Sequence, residues 1–304
     1  MKKTNGAPKV HRRDRKTWLA HYTMLAPFLI LFILLTVIPI ISSVFLSLTD
    51  YNMVQFPNFV GASNYIRLFF EDDAFITAVK NTLILAVVTG PVGYILSFTV
   101  AWIINEFGRR TRVLFTLFMY MPALFSNVFF MWKYIFSQDR QGLANNVLIS
   151  LGIIAEPMNW LTNPSVNLIV VAIVTLWLSF GTGFLSFMAG LQSLDRAYFE
   201  AAAIDGLKNR WQELYYVTLP QMKNFLLFGA VMSIANAFGT GSVSRELTGF
   251  PSTSNSTLTV TLHIFDYNKV RYESGYASAI AVVLFAITLL SWWLIRKILN
   301  KLSA

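Results

Sequence analysis

The chain is predicted to be an all-α integral membrane protein with six transmembrane helices and both termini on the cytoplasmic side. Three observations carry this: a low charge content, six long apolar runs and a lopsided distribution of basic residues. Of 304 residues, 55% are hydrophobic and only 13% charged, about half the charge of a soluble domain. A helix needs about 20 mostly apolar residues to cross a hydrocarbon core of roughly 30 Å. The runs Met24–Leu48, Thr82–Ile104, Val113–Phe136, Val166–Gly190, Phe225–Ser242 and Ala277–Ile295 meet that length, the fifth being diluted by Asn224, Asn236 and glycines. With the N-terminus inside, 17 of the 24 Lys and Arg fall on inside segments, the asymmetry of the positive-inside rule. The net charge of +9 therefore follows from topology, and no nucleic-acid partner is needed to explain it.

The elements follow in order. Residues 1–17 form a basic cytoplasmic tail suited to anionic headgroups, and residues 18–304 form one membrane domain. The first apolar run is too long for the core of a cleaved signal peptide and lacks an Ala-x-Ala-like site, so it is a retained span. Asn64–Val79 sets Phe69, Phe70 and Phe75 among Glu71, Asp72 and Asp73, the pattern of a short interfacial helix on the outer face. The short basic turn Asn105–Arg112 makes the second and third spans antiparallel neighbours. In the Ser137–Ser165 loop, Gly142, Gly152, Pro157 and Pro164 break any long helix. Gly181-Thr182-Gly183 marks a close-packing or kink site in the fourth span.

The segment after the fourth span differs in kind. Asp195, Arg196, Glu200, Asp205 and Lys208 bar it from hydrocarbon. Asp195 can cap a helix that starts near Arg196, Ala201–Ala203 favour that helix, and Gly206 can end it in the left-handed conformation. A second helix runs from about Asn209 to Thr218, and Pro220 ends it or opens the fifth span. The result is a helix–turn–helix lying flat on the cytoplasmic face. Phe199 and Ile204 are apolar on this watery element, which points to a protein that covers them.

Several chemistries are excluded. The chain has no Cys, hence no disulfide, thiolate zinc site or thiol nucleophile. The six runs hold no Asp, Glu or His, so an ion-coupled secondary transporter or an intramembrane hydrolase would lack its working groups. His11, His21 and His263 have no metal-ligand spacing and are structural or solvated, His263 lying near Asp266 in sequence. No G-x-x-x-x-G-K-[ST] loop is present to cradle a nucleotide. Trp102, Trp132, Trp292 and Trp293 sit near span ends as interfacial anchors.

Glu200-Ala-Ala-Ala-Ile-Asp-Gly206, followed by Trp211 and Leu219-Pro220, closely resembles the EAA loop of ABC importer permeases. It departs from the usual pattern at Leu207, where Ala is common. Phe59-Val60-Gly61 with Asn64-Tyr65, Asn81-Thr82, Gly190-Leu191-Gln192 and Gly275-Tyr276-Ala277 are similar to segments of the carbohydrate-uptake, MalF-like, binding-protein-dependent branch. The resemblance covers nearly the whole chain after Trp18, although Thr248-Gly-Phe-Pro-Ser252 replaces a common G-G-P turn.

The resemblance implies a type I ABC importer permease fold in the cytoplasmic membrane of a prokaryote, forming half of a translocation path for a sugar or oligosaccharide. The implied partners are a second permease subunit, two ATPase subunits or domains, membrane lipid and an extracytoplasmic solute-binding protein. No cofactor is expected on this chain, ATP and Mg being used by the partner ATPase, and the chain is not itself an enzyme. Residues 191–222 become the coupling loop, with Glu200, Ala201, Ala202, Asp205 and Gly206 as its contact and turn. Sugar sites use hydroxyl-pairing groups and flat apolar faces. That makes Ser126, Asn127, Trp177, Ser179, Thr182, Ser233 and Asn236 the candidate substrate path, each also able to serve as a helix–helix hydrogen bond. An ABC permease for a polyamine or phosphate ester remains the alternative, with a secondary transporter further behind.

Overall fold

The computed structural model describes residues 15–125 and 128–302. Most of the basic tail and two of the candidate path residues, Ser126 and Asn127, lie outside the described residues. Within them the chain is helical, with one antiparallel bridge between Thr49 and Phe59. In chain order the helices are α1 (Arg15–Phe32), α2 (Ile38–Leu46), α3 (Ser63–Phe70), α4 (Asp73–Asn105), α5 (Arg109–Tyr120), α6 (Val128–Ile135), α7 (Leu143–Ser150) and α8 (Asn167–Leu178). They continue with α9 (Thr182–Gln192), α10 (Arg196–Ile204), α11 (Arg210–Glu213), α12 (Leu219–Gln221), α13 (Lys223–Phe238), α14 (Gly241–Thr248), α15 (Val260–Phe265) and α16 (Ser274–Leu302). A π-helical turn, Ile33–Val37, joins α1 to α2.

Four helical segments are long and apolar enough to cross a membrane: Tyr22–Leu46, Asp73–Asn105, Asn167–Gln192 and Ser274–Lys297. Two bent pairs raise the number to six if each is one span. The pair α13 and α14 meets at 43°, and α5 with its short extension meets α6 at 85°. The third and fifth apolar runs are thus broken rods, and the fourth is interrupted between Leu178 and Thr182. Hydrophobicity reports where a chain can lie in lipid; it is blind to interruptions that neighbouring helices satisfy.

The long helix α4 is the centre of the packing, against α8, α9 and α13. Toward its C-terminal end, Ala101 and Ile104 join Phe184, Phe187, Met188 and Leu191 of α9 and Met222. In its middle, Leu85 meets Val170, Val171 and Val174 of α8 and Val243 and Leu247 of α14. At its N-terminal end, Phe75 and Ala78 join Leu68, Val260, Leu262, Tyr276 and Ile280. The apolar window of α1–α2 is unburied by the rest of the chain, as suits a surface for lipid or another membrane subunit.

The amphipathic stretch expected as one helix over Asn64–Val79 is instead two. α3 stops at Phe70, and Asp72 accepts a hydrogen bond from the backbone N–H of Phe75 (2.9 Å), capping α4. The cap wins because Asp72 also gathers a buried network. Its other carboxylate oxygen accepts from Tyr276 Oη (2.7 Å) and lies 2.9 Å from His263 Nε2. His263 is therefore structural, but its partner is Asp72; the sequence neighbour Asp266 pairs with Arg271. Burial alone would raise the Asp72 carboxyl, yet the hydrogen bonds from Tyr276, His263 and the Phe75 N–H outweigh it and hold the group below the usual carboxylate range.

Motif residues with no chemistry of their own hold this end together. Asn64 Nδ2 donates to the carbonyls of Ser47 and Thr49 (both 2.8 Å). Asn81 Nδ2 donates to the carbonyls of Ser256 (3.1 Å) and Leu258 (3.0 Å), and Thr82 Oγ1 accepts from the N–H of Val260 (2.9 Å). Gly275 passes so close to Thr49 that a Cβ there would collide with its carbonyl. In the loop after α6, fully buried Asn145 donates to Ser137 O and accepts from Met158 N and Trp160 Nε1.

Asn81→Ala leaves those carbonyls unpaired and is expected to cost about 1–3 kcal/mol, read as a lower unfolding temperature in detergent. Because the Asp72 carboxyl is depressed in the folded chain, its stabilising contribution is present above the unfolded carboxyl value near pH ~4. It fades as pH falls through the lower folded value. Acidification below about pH 4 should therefore lower the unfolding temperature of the parent chain more than that of Asp72→Asn.

Candidate functional site

Two places in the fold can carry function: the polar loop after α9 and a cavity where the helices break. In the loop, Asp195 Oδ1 accepts from the N–H of Ala197 (3.0 Å) and starts α10. At the other end Gly206 has φ +92°. The N–H of Gly206 reaches the carbonyl of Ala203 (3.2 Å) and that of Leu207 the carbonyl of Ala202 (3.1 Å), the paired bonds of a Schellman C-cap. Asn209 caps α11 by accepting from Gln212 N (2.9 Å), while Gln212 Oε1 accepts from Lys208 N (2.8 Å). The second helix expected over Asn209–Thr218 is α11 continued by a π turn, Leu214–Thr218, and Pro220 lies in the first turn of α12.

The loop is fastened to the membrane helices. Arg210 bridges Glu106 at the end of α4 (2.7 Å) and Glu213 (2.6 Å). The rings of Trp102 and Trp211 stand 5.3 Å apart, so Trp102 belongs to this joint more than to an interfacial belt. Ala202 is buried, and Phe199 is half-buried in a pocket it shares with Trp102 and Leu191. Phe199 is thus turned toward its own chain, whereas the sequence pattern points to a partner protein that covers it. The outer surface consists of Glu200, Ala201, Tyr198 and Ile204, the last 87% exposed, with exposed Trp211, Tyr215 and Tyr216 beyond the turn.

The cavity, of about 360 Å³, lies among α4, the broken α8–α9 rod and the bent α13–α14 pair. Ser179, Thr182, Ser233 and Asn236 all line it. Trp177 does not: it packs edge-on against Trp132 at 5.3 Å, and Trp132 stacks on Phe136. Trp132 is therefore part of an aromatic cluster, whereas Trp292 and Trp293 lie under Arg296 and Lys297 near the end of α16.

Among the lining residues, two kinds separate. Ser233 Oγ donates to the carbonyl of Gly90 (2.8 Å), and Ser179 Oγ donates to Leu176 O (2.6 Å) beside Ser97. These hydroxyls are committed to holding helices. Thr182 and Asn236 are exposed to the cavity, and their side chains make no hydrogen bond within the described residues. Thr240, which the sequence reading missed, also lines the cavity, and its Oγ1 is buried without a partner. It sits beyond Gly239 in the bend of the α13–α14 pair, a break that the apolar run did not reveal. Glycines bring the walls close: the ring of Phe187 fills the space a Cβ on Gly229 would need.

A bundle of apolar helices broken around a polar cavity, with a capped helix–turn–helix bolted to one end, defines a multi-pass membrane transport subunit. More particularly, the chain belongs to the family described as "Binding-protein-dependent transport system inner membrane component", which matches residues 91–303, and is an ABC importer permease.

The chain is 33% identical over 306 residues to "Probable ABC transporter permease protein YesP" of Bacillus subtilis (strain 168), covering 99% of this chain and 96% of that protein. It is 32% identical to "Lactose transport system permease protein LacF" of Rhizobium radiobacter, covering 89% of each. The fold matches a chain in the crystal structure of a bacterial ABC transporter involved in the import of the acidic polysaccharide alginate. There the TM-score is 0.77 at 23% identity, over 95% of this chain and 97% of that one.

Ser233→Ala is expected to lose roughly 1 kcal/mol of helix–helix stabilisation, whereas Asn236→Ala, with no bond to break, should unfold at the parent temperature. Differential scanning fluorimetry of both variants distinguishes the scaffold hydroxyl from the free cavity amide.

Proposed function

We propose that this chain is one permease subunit of an ATP-driven importer for a sugar or oligosaccharide and forms half of the translocation path. The reading places six spans in the cytoplasmic membrane of a prokaryote, with both termini and residues 191–222 in the cytoplasm. A second permease completes the path, two ATPase subunits hydrolyse ATP, and an extracytoplasmic binding protein delivers the solute.

The observation that carries this reading is the loop: a helix whose exposed face ends at Ile204, stopped by Gly206 and tied through Arg210 to the end of α4. A shove on that face is passed to the longest helix of the bundle, which suits coupling between nucleotide closure and alternating access. Glu200 and Ala201 offer the contact surface, Asp205 and Gly206 shape the turn, and Ala202 seats the helix on its own chain.

The substrate class rests on relatives named for lactose and arabinooligosaccharide transport. The cavity supports it: none of its lining residues is charged, and the hydroxyl and amide groups of Thr182, Asn236 and Thr240 share that lining with Tyr94, Phe184 and Phe187. A polyamine or phosphate ester would leave its charge unpaired there.

Gly206→Val forces a β-branched side chain into a left-handed backbone. It should leave the protein level in the membrane unchanged while abolishing ATP-driven uptake in reconstituted vesicles; normal uptake at normal level defeats the coupling turn. For topology, single cysteines replacing Glu71 and Arg110 should label from outside and inside respectively, and the reverse pattern would invert the proposed orientation.

A further inference from the structure

Between α2 and α3 the chain makes a loop whose neck is closed and whose tip is bare. Thr49 and Phe59 form the bridge at its base. Asp50 N donates to Asn58 O (3.1 Å), and Asn58 N returns a bond to Asp50 Oδ1 (2.7 Å). Inside the loop, Asn52 Oδ1 accepts from Val54 N (3.2 Å) and Gln55 N (2.9 Å). Pro57 has no N–H to satisfy. The tip is thus apolar outside while part of its backbone is paired within. Val54 is 87% and Phe56 94% exposed, and no Lys, Arg, Asp or Glu occurs from Tyr51 to Ile66.

Water is a poor surrounding for such a tip. Val54 and Phe56 share an open groove of about 630 Å³ with Ser42, Phe45 and Leu46 of α2. Ser42 to Leu46 spans about 6 Å of helix at 1.5 Å per residue, so the groove reaches about one turn back along α2. That side of α2 continues into the exposed apolar face of Ile38, Ile41 and Phe45, on a segment long enough to cross hydrocarbon. With α2 set in hydrocarbon, a groove at its end borders the boundary where interfacial elements bury apolar groups to a depth of roughly 5–10 Å.

We propose that the Tyr51–Pro57 loop is a lipid anchor: Val54 and Phe56 insert at the headgroup–acyl boundary, and a lipid chain occupies the groove against α2. The inference rests on the membrane placement of α1–α2 and not on the transported solute, so a failed sugar assay leaves it untouched. The occupant is an ordinary zwitterionic lipid, because the loop carries no charge that would select a headgroup.

The chain has no native Cys, so Phe56→Cys and, separately, Val54→Cys can each carry one environment-sensitive fluorophore. Gln141→Cys, on an exposed polar turn, serves as the aqueous control. The assembled transporter is placed in phosphatidylcholine nanodiscs, and emission is read with aqueous iodide, with a headgroup nitroxide lipid and with a chain-terminal nitroxide lipid. Parent-like thermal unfolding establishes that labelling leaves the fold intact.

Both loop labels should be quenched several-fold more by the headgroup nitroxide than by the chain-terminal one, and several-fold less by iodide than the control. Adding the solute-binding protein should leave this pattern unchanged. Iodide quenching equal to the control overturns the proposal, because the tip is then solvated. Protection from iodide without lipid quenching, or lipid quenching abolished by the binding protein, also overturns it, because a protein then covers the loop.

Discussion

Backbone groups released by a broken helix must find partners inside the protein when no water is at hand, and α4 supplies many of them. The fourth rod breaks after Leu178, and Ser97 Oγ of α4 donates to the released carbonyl of Ser179 at 3.1 Å. In the turn before α15, Asn81 of α4 donates to the carbonyls of Asn255, Ser256 and Leu258, while Thr82 accepts from the N–H of Val260. Ser233 of α13 returns a bond to Gly90 of α4. The cavity lies beside these breaks, and the polar seam of α4 satisfies the one in the fourth rod.

The same helix joins the two ends of the molecule. Its N-terminal cap, Asp72, binds residues from α15 and α16; its C-terminal neighbour, Glu106, binds Arg210 of the loop. The exposed Arg210–Glu106 pair is worth little in stability on its own. Its importance is geometric, because together with the Trp102–Trp211 contact it fixes the loop to α4. The buried Asp72 network has the opposite character: removing one partner strands buried polar groups, so it resists change at the end of the chain away from the loop.

What was legible in the sequence was local or periodic. Asp195 as cap, Gly206 as terminator and Asn209 near the second start are chemistry within a few residues, and each stands where its type predicts. The apolar runs marked where the chain lies in lipid. They did not reveal the bend at Gly239–Thr240, because a break costs nothing in hydrophobicity when a neighbour satisfies it. Contacts across the chain were equally hidden: His263 was set beside Asp266, whereas its partner Asp72 is 191 residues away. Phe199 pointed to a covering partner because the pocket it shares with Trp102 is formed from a distant part of the chain. Among polar candidates, Ser179 and Ser233 share the composition signal of Thr182 and Asn236. Only the position of a freed carbonyl separates a hydroxyl committed to the scaffold from a group open to the cavity.

The interruptions beside the cavity also set how the bundle can deform. A continuous helix resists bending through its ladder of backbone hydrogen bonds; the α-helix is interrupted at Ser179–Gly181 and again at Gly239–Thr240, on the two rods that border the cavity. On one side of these interruptions, Phe187 of α9 fills the space left by Gly229 of α13 and keys those two segments to each other. On the other, Asn167 of α8 is bonded to Ser256, and α14 packs on α15. With α4 running between them as one helix, whose Pro91 omits a bond of its own ladder beside the cavity, the bundle is two packed blocks joined at these interruptions. Its compliance is concentrated where the polar cavity lies.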